Sequence, residues 1–292
     1  MLDPTAREGQ LTPLSDNTRR PGPWDPPAQP AQPAGQPPQP ASIEPPLDKG
    51  QNPVVAALFT LLFAAAIWWL TQSWIVAVAL IFGLIVHEYG HVLAMNRLGM
   101  GPARIYIIPL LGGLAKGQRG PRSEWDGVIV SMAGPLFGLL ATIPFFGAFF
   151  LLGDSAWLDG AFVIALINLI NLAPAPPLDG SKAIGPVLAK IHPMLELGVL
   201  MLIGAIVVVW AFNRGSYIFA VFLVLALYGH LRGGIRPPSG RPLTNVESLK
   251  SVGLFLGTAA ACVGVAVIGP TLVTGDPVTG LMAMLSRLGL IS

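Results

Sequence analysis

The chain has 292 residues, of which 53% are hydrophobic and 11% charged, with a formal net charge of +2. A mean hydropathy of +0.65 excludes a soluble globular protein, and so small a charge excludes a nucleic-acid partner. The single cysteine, Cys262, excludes an intramolecular disulfide framework and a cysteine-based metal cluster.

Residues 1–50 are polar and hold thirteen of the 29 prolines, mixed with Ala and Gln as in PPAQPAQPAGQPPQP. This composition lacks the apolar core of a signal peptide and cannot bury enough surface to offset the entropy of ordering, so it reads as a disordered tail. A tether is the plain reading of the tail; a docking segment for a cytoplasmic partner is the sharper one.

Beyond it, apolar stretches of membrane-spanning length fall near 53–71, 74–95, 127–152, 157–173, 195–212, 215–230 and 251–273. The expected fold is therefore an all-α polytopic membrane protein with about six to seven transmembrane helices. Its expected parts are the tail (1–50), a membrane core (51–230), a basic cytoplasmic loop (231–250), and a last transmembrane helix with a short tail (251–292).

Positive charge gathers in alternate connections. Arg97, Arg104, Lys116, Arg119 and Arg122 follow the second span, Lys182 and Lys190 the fourth, and Arg232, Arg236, Arg241 and Lys250 the sixth. The positive-inside rule places these connections and the N-terminus in the cytoplasm. Trp68, Trp69, Trp74, Trp157, Trp210 and Tyr217 fall at the opposite ends, where amphipathic rings favour the interface.

The second span carries LIVHEYGHVLA, with His87, Glu88 and His91 inside an otherwise apolar run. Histidines at i and i+4 share a helix face and can bind one metal ion, and a glutamate beside the first can serve as a base toward water. Ionisable groups within a span are costly, so three within five residues mark a site. From Trp74 to His87 is roughly 20 Å along a helix, which places the site in the cytoplasmic half of the bilayer.

Residues 101–120 are too short and too rich in glycine to form a span. Ile105–Leu111, closed by Gly112-Gly113, reads either as part of a re-entrant β-hairpin near 103–115 or as an interfacial loop. A hairpin edge could accept an extended peptide, and glycine at 112 and 113 allows close backbone approach. In the third span, Gly134 and Gly138 within AGPLFG suit close packing against the metal helix.

Two histidines need a further ligand. His192 and His230 read as interfacial residues, and Glu196 as a helix-start charge. Asp179 follows Pro174, Pro176 and Pro177, which break the fourth span and turn the chain inward. It is either a helix N-cap or the third ligand; the ligand reading is preferred because no other acid lies at matching depth.

With HEYGH at 87–91, NLAPAPPLDG at 171–180, Gly112-Gly113 and AGPLFG at 133–138, in this order and each in or beside an apolar span, the chain resembles the site-2 proteases, intramembrane zinc metallopeptidases. The resemblance covers roughly 53–230. It implies one Zn2+ per chain held by His87, His91 and Asp179, Glu88 as general base, and Asn171 positioning substrate. The sequence departs from the family's pattern at Gly138, where many relatives carry a polar residue.

The expected activity is that of a zinc metalloendopeptidase cleaving within or at the edge of a single-span membrane protein or peptide, in the bacterial cytoplasmic membrane. The rivals are a metal-binding transporter and an inactive membrane scaffold. The transporter lacks the second broken helix that a repeat would supply, and the scaffold has no use for Glu88.

Overall fold

A computed structural model of the chain describes residues 50–108, 112–233 and 240–287. The tail apart from Gly50, residues 109–111, residues 234–239 of the expected basic loop, and 288–292 lie outside the described residues.

The helices follow the apolar stretches. α1 (Pro53–Thr71) is capped by the Asn52 side chain, α2 (Trp74–Arg97) by Ser73, and α3 (Glu124–Leu140) by a reciprocal Ser123–Asp126 capping box. Between α2 and α3 lie two antiparallel strands, β1 (Arg104–Ile108) and β2 (Gly112–Lys116), with Ile107 opposite Gly113. The re-entrant segment is therefore a hairpin.

The single span expected at 127–152 is two helices, α3 and α4 (Ile143–Leu152), separated at Ala141–Thr142. Pro144 has no N–H to continue the ladder, and the Thr142 hydroxyl bonds the Leu139 carbonyl at 2.7 Å. Pro135, by contrast, sits inside α3 without ending it.

Then come α5 (Ala156–Asn171), α6 (Asp179–Ile191), α7 (Pro193–Asn213), α8 (Tyr217–Gly233), α9 (Asn245–Thr274) and α10 (Pro277–Arg287). Among the described residues, five stretches are long and apolar enough to cross a membrane: α1, α2, Glu124–Leu152, α7 and α9. α5 and Phe219–Gly233 are shorter apolar helices. The protein is an all-α, multi-pass membrane protein with one small hairpin.

α10 occupies residues expected to be a short tail. Gly275, at φ +76°, ends α9 in the left-handed conformation; Asp276 then accepts the Thr279 N–H, and α10 folds back so that Met284 packs on Phe162 and Ala266. Arg287 pairs with buried Asp159 at 3.2 Å.

The core that positions the site is the packing of α2 between α3 and α5. α5 runs parallel to α2, in steps of four residues on each helix. A Cβ on Gly160 would lie 3.1 Å from that of Ala79, a Cβ on Gly83 would lie 2.8 Å from Ile164, and Asn168 meets His87. On the other side a Cβ on Gly90 would come 2.5 Å from the Ala133 carbonyl. Lipid offers no hydrophobic drive between helices, so small residues that let backbones approach supply the contact.

The basic loops meet at one end of the bundle. The Arg241 N–H bonds the Arg122 carbonyl, and Lys190 Nζ donates to the Leu243 carbonyl at 2.7 Å. The aromatic ends meet at the other, where Trp74 and Trp157 lie edge to face 5.6 Å apart.

Candidate metal centre

One turn of α2 separates His87 and His91, and both imidazoles point between α3 and α6. The two Nε2 atoms are 3.1 Å apart, and Asp179 Oδ2 lies 3.1 Å from His87 Nε2 and 3.2 Å from His91 Nε2. All three residues are buried.

Asp179 arrives there through the proline-rich turn. α5 ends at Asn171, and tight turns follow, with the Ala175 N–H on the Ala173 carbonyl at 2.7 Å and the Leu178 N–H on the Ala175 carbonyl at 2.8 Å. Asp179 is the first residue of α6; the N-cap position belongs to Leu178, and its side chain makes no capping bond. Gly180 follows because its Cα packs on the Leu172 and Ala173 carbonyls, where a Cβ would have no room.

The outer nitrogens of the histidines settle what can sit between the inner ones. His91 Nδ1 donates to the Val130 carbonyl at 2.7 Å. Asn168 spends its amide N–H on the Ile164 carbonyl, which turns Oδ1 toward His87 Nδ1 at 2.8 Å. In the neutral rings each Nδ1 thus carries the proton, and each Nε2 presents a lone pair. Two lone pairs and a carboxylate oxygen converge with no hydrogen among them, an arrangement that repels itself unless a cation lies at its centre. Two imidazoles and one carboxylate form a donor set that can hold a metal ion such as zinc.

Glu88 is buried beside the trio, along β2. A Cβ on Gly113 would come 2.5 Å from Glu88 Cγ and 2.9 Å from Cδ, and the Ala115 N–H faces the carboxylate. Gly112, at φ +108°, packs against Leu84 of the same helix. Gly112 and Gly113 therefore press the hairpin onto α2, one through its backbone conformation and the other through close approach.

Of the residues singled out in the sequence, His87, Glu88, His91, Asp179, Gly112 and Gly113 come together. Asn171 sits at the C-terminal end of α5, and the amide that reaches His87 is that of Asn168, fully buried three residues earlier. The signal for Asn168 was its amide within an apolar span; the choice between the two asparagines depends on the rotation of α5. Gly134 also belongs to the site, because a Cβ there would collide with His91 Cε1 at 2.5 Å and His87 Nε2 at 2.7 Å. Gly138 makes room for the Asn168 amide, so a polar side chain at 138 has no space in this chain. His192 caps α7 through Nδ1, accepting the Met194 N–H at 3.1 Å.

Residues 75–160 match Peptidase family M50. This is the site-2 protease family that the motifs resemble. The M50 match takes in most of α2, the hairpin, α3, α4 and the start of α5, so His87, Glu88 and His91 lie inside it and Asn168 and Asp179 beyond it. A Synechocystis sp. protein that carries the name "Putative zinc metalloprotease sll0528" is 29% identical over 136 residues, 44% of this chain and 35% of its own length. A zinc metalloprotease of Methanocaldococcus jannaschii is 28% identical over 131 residues, 42% of this chain and 37% of its own length. The chain thus spans little more than a third of the length of these curated relatives.

Proposed function

We propose that the protein is an intramembrane zinc metalloendopeptidase that cleaves a peptide bond within, or at the edge of, a substrate's transmembrane segment. The observation that carries this reading is the convergence of two imidazole lone pairs and the Asp179 carboxylate beside a buried Glu88, with both histidines and Glu88 on a helix of membrane-spanning length. The M50 similarity and the zinc metalloprotease names of the two relatives support it.

His87, His91 and Asp179 would hold one zinc ion per chain, which supplies Lewis acidity toward water and the scissile carbonyl. Asn168 and the Val130 carbonyl hold the two imidazoles in the tautomer that presents Nε2. Glu88 takes the proton of the attacking water and returns it to the leaving amine nitrogen. The substrate must unwind locally, since a helix hides its carbonyls in i→i−4 bonds.

The unwound segment would pair with the hairpin as an added strand. The sequence points to Ile105–Leu111 for this, of which 109–111 lie outside the described residues. β1 is engaged at Ile107 by Gln51, whereas β2 borders Glu88, so we assign the substrate to β2. Asn171 lies where the proline turn begins and remains the proposed partner of the peptide there.

The substrate class is a single-span membrane protein. The protein would sit in a bacterial cytoplasmic membrane with its N-terminus, the proline-rich tail and the basic loops in the cytoplasm, an orientation that the positive charge of those loops supports. Transport is less well supported, since a transport path needs successive donor sets and the described residues hold one group of three.

The test is Glu88→Gln, which keeps the shape of the side chain and removes the base. Cleavage of a transmembrane peptide should fall at least about 100-fold while zinc content stays at one per chain. Undiminished cleavage would remove Glu88 from the chemistry, and with it this reading.

A further inference from the structure

The two edges of the hairpin are used differently. In an antiparallel pair, opposed residues alternate between exchanging both backbone hydrogen bonds and turning both groups outward. The Ile107 N–H donates to Gln51 Oε1 at 2.7 Å, and Gln51 Nε2 donates to the Ile107 carbonyl at 3.1 Å. Ile107 therefore faces outward, and so does Gly113 opposite it, with Ala115 two residues on. The Ala115 N–H meets the Glu88 carboxylate, and the face of Gly113 packs on the Glu88 side chain.

A primary amide offers a carbonyl acceptor and an NH2 donor group, one N–H of which, with the oxygen, matches what a residue of a neighbouring strand would offer. Gln51 is also held in place from both sides. Gly50, at φ +82°, packs so closely on the Arg104 side chain that a Cβ would come 2.7 Å from Cδ, and Asn52 caps α1 by accepting the Val54 N–H at 2.9 Å. The sequence separation of 56 residues shows that this contact is a tertiary tie between the start of α1 and the hairpin.

We propose that Gln51 is a positioning residue whose side-chain amide acts as a one-residue strand on the outer edge of β1, so that an extended peptide pairs at the β2 edge beside Glu88. The proposal rests on the reading of the hairpin as the substrate platform. It makes the junction between the tail and α1 part of the device that sets the hairpin over Glu88.

The test is Gln51→Met, which preserves length and removes both hydrogen-bonding groups. Backbone amide exchange in the full-length protein should become about tenfold faster or more at Ile107, with zinc content unchanged. An extended apolar peptide carrying a photo-reactive residue, added to the Glu88→Gln protein, should form adducts around Gly113–Ala115. With Gln51→Met added, adducts should also appear on Ile105–Ile107. Unchanged exchange at Ile107, an unchanged adduct pattern, or loss of zinc on Gln51→Met would each overturn the proposal. Cross-linking and exchange need no turnover, so a protein that cleaves no peptide but gives these results would contradict the proteolytic reading and leave the role of Gln51 standing.

Discussion

α1 and α2 are adjacent apolar helices of membrane-spanning length, yet 6% of the apolar stretch of α1 is buried within the protein against 56% of that of α2. α1 presents Leu61, Leu62, Trp69 and Leu70 outward, and large apolar side chains suffice for that surface. α2 is enclosed by α3, α5 and the hairpin, and the residues at its contacts with α5 and α3 are Ala79, Gly83 and Gly90. A lipid-facing surface asks only to be apolar, whereas a helix enclosed by protein needs particular sizes at particular positions. Hydropathy alone does not separate the two; small residues and buried polar atoms do.

The sharpest way to break this contrast is at the closest approach of α3 to the histidines. Gly134→Val places methyl groups where the imidazoles stand, so zinc affinity should fall by more than about 100-fold, beyond the loss of an orienting hydrogen bond. Metal titration of the purified variant measures this, and retained affinity would show that α3 can yield.

A smaller effect is expected at Asn168→Leu, which fills the same space but no longer accepts from His87 Nδ1. Zinc affinity should fall about 10–100-fold, with most of the helical content intact by circular dichroism. The smallest effect compares the two helices directly. Ala79→Leu overfills the contact with Gly160 and should cost about 1–3 kcal/mol, seen as a lower Tm in detergent. Leu61→Ala on the open face of α1 should stay within about 0.5 kcal/mol of the parent. Equal losses at the two positions would show that both helices are packed alike.

Much of this was legible in the sequence. The spans follow from hydropathy, the shared face of His87 and His91 from the i,i+4 spacing, and the hairpin from a short β-branched run closed by two glycines. The inward turn of Asp179 follows from three prolines that cannot continue α5. What escaped depends on rotation or on distant partners. Asn168 and Asn171 lie three residues apart on one helix, and only the parallel packing of α5 on α2 decides which of them meets His87. The break at Ala141–Thr142 turns on one proline in a run that stays apolar throughout. α10 is anchored by Asp159, 128 residues away, and the tie from Gln51 to Ile107 spans 56; neither leaves a local pattern.

The central claim is that three residues from two distant segments form one metal centre. X-ray absorption at the zinc edge, together with elemental analysis of the purified full-length protein, tests it most directly. We expect one zinc per chain, bound by two imidazole nitrogens at about 2.0–2.1 Å and a carboxylate oxygen at about 2.0–2.2 Å, with zinc largely lost in Asp179→Ala. Full zinc occupancy and an unchanged ligand shell in Asp179→Ala would contradict the account, because the metal would then owe nothing to the aspartate that the proline turn delivers.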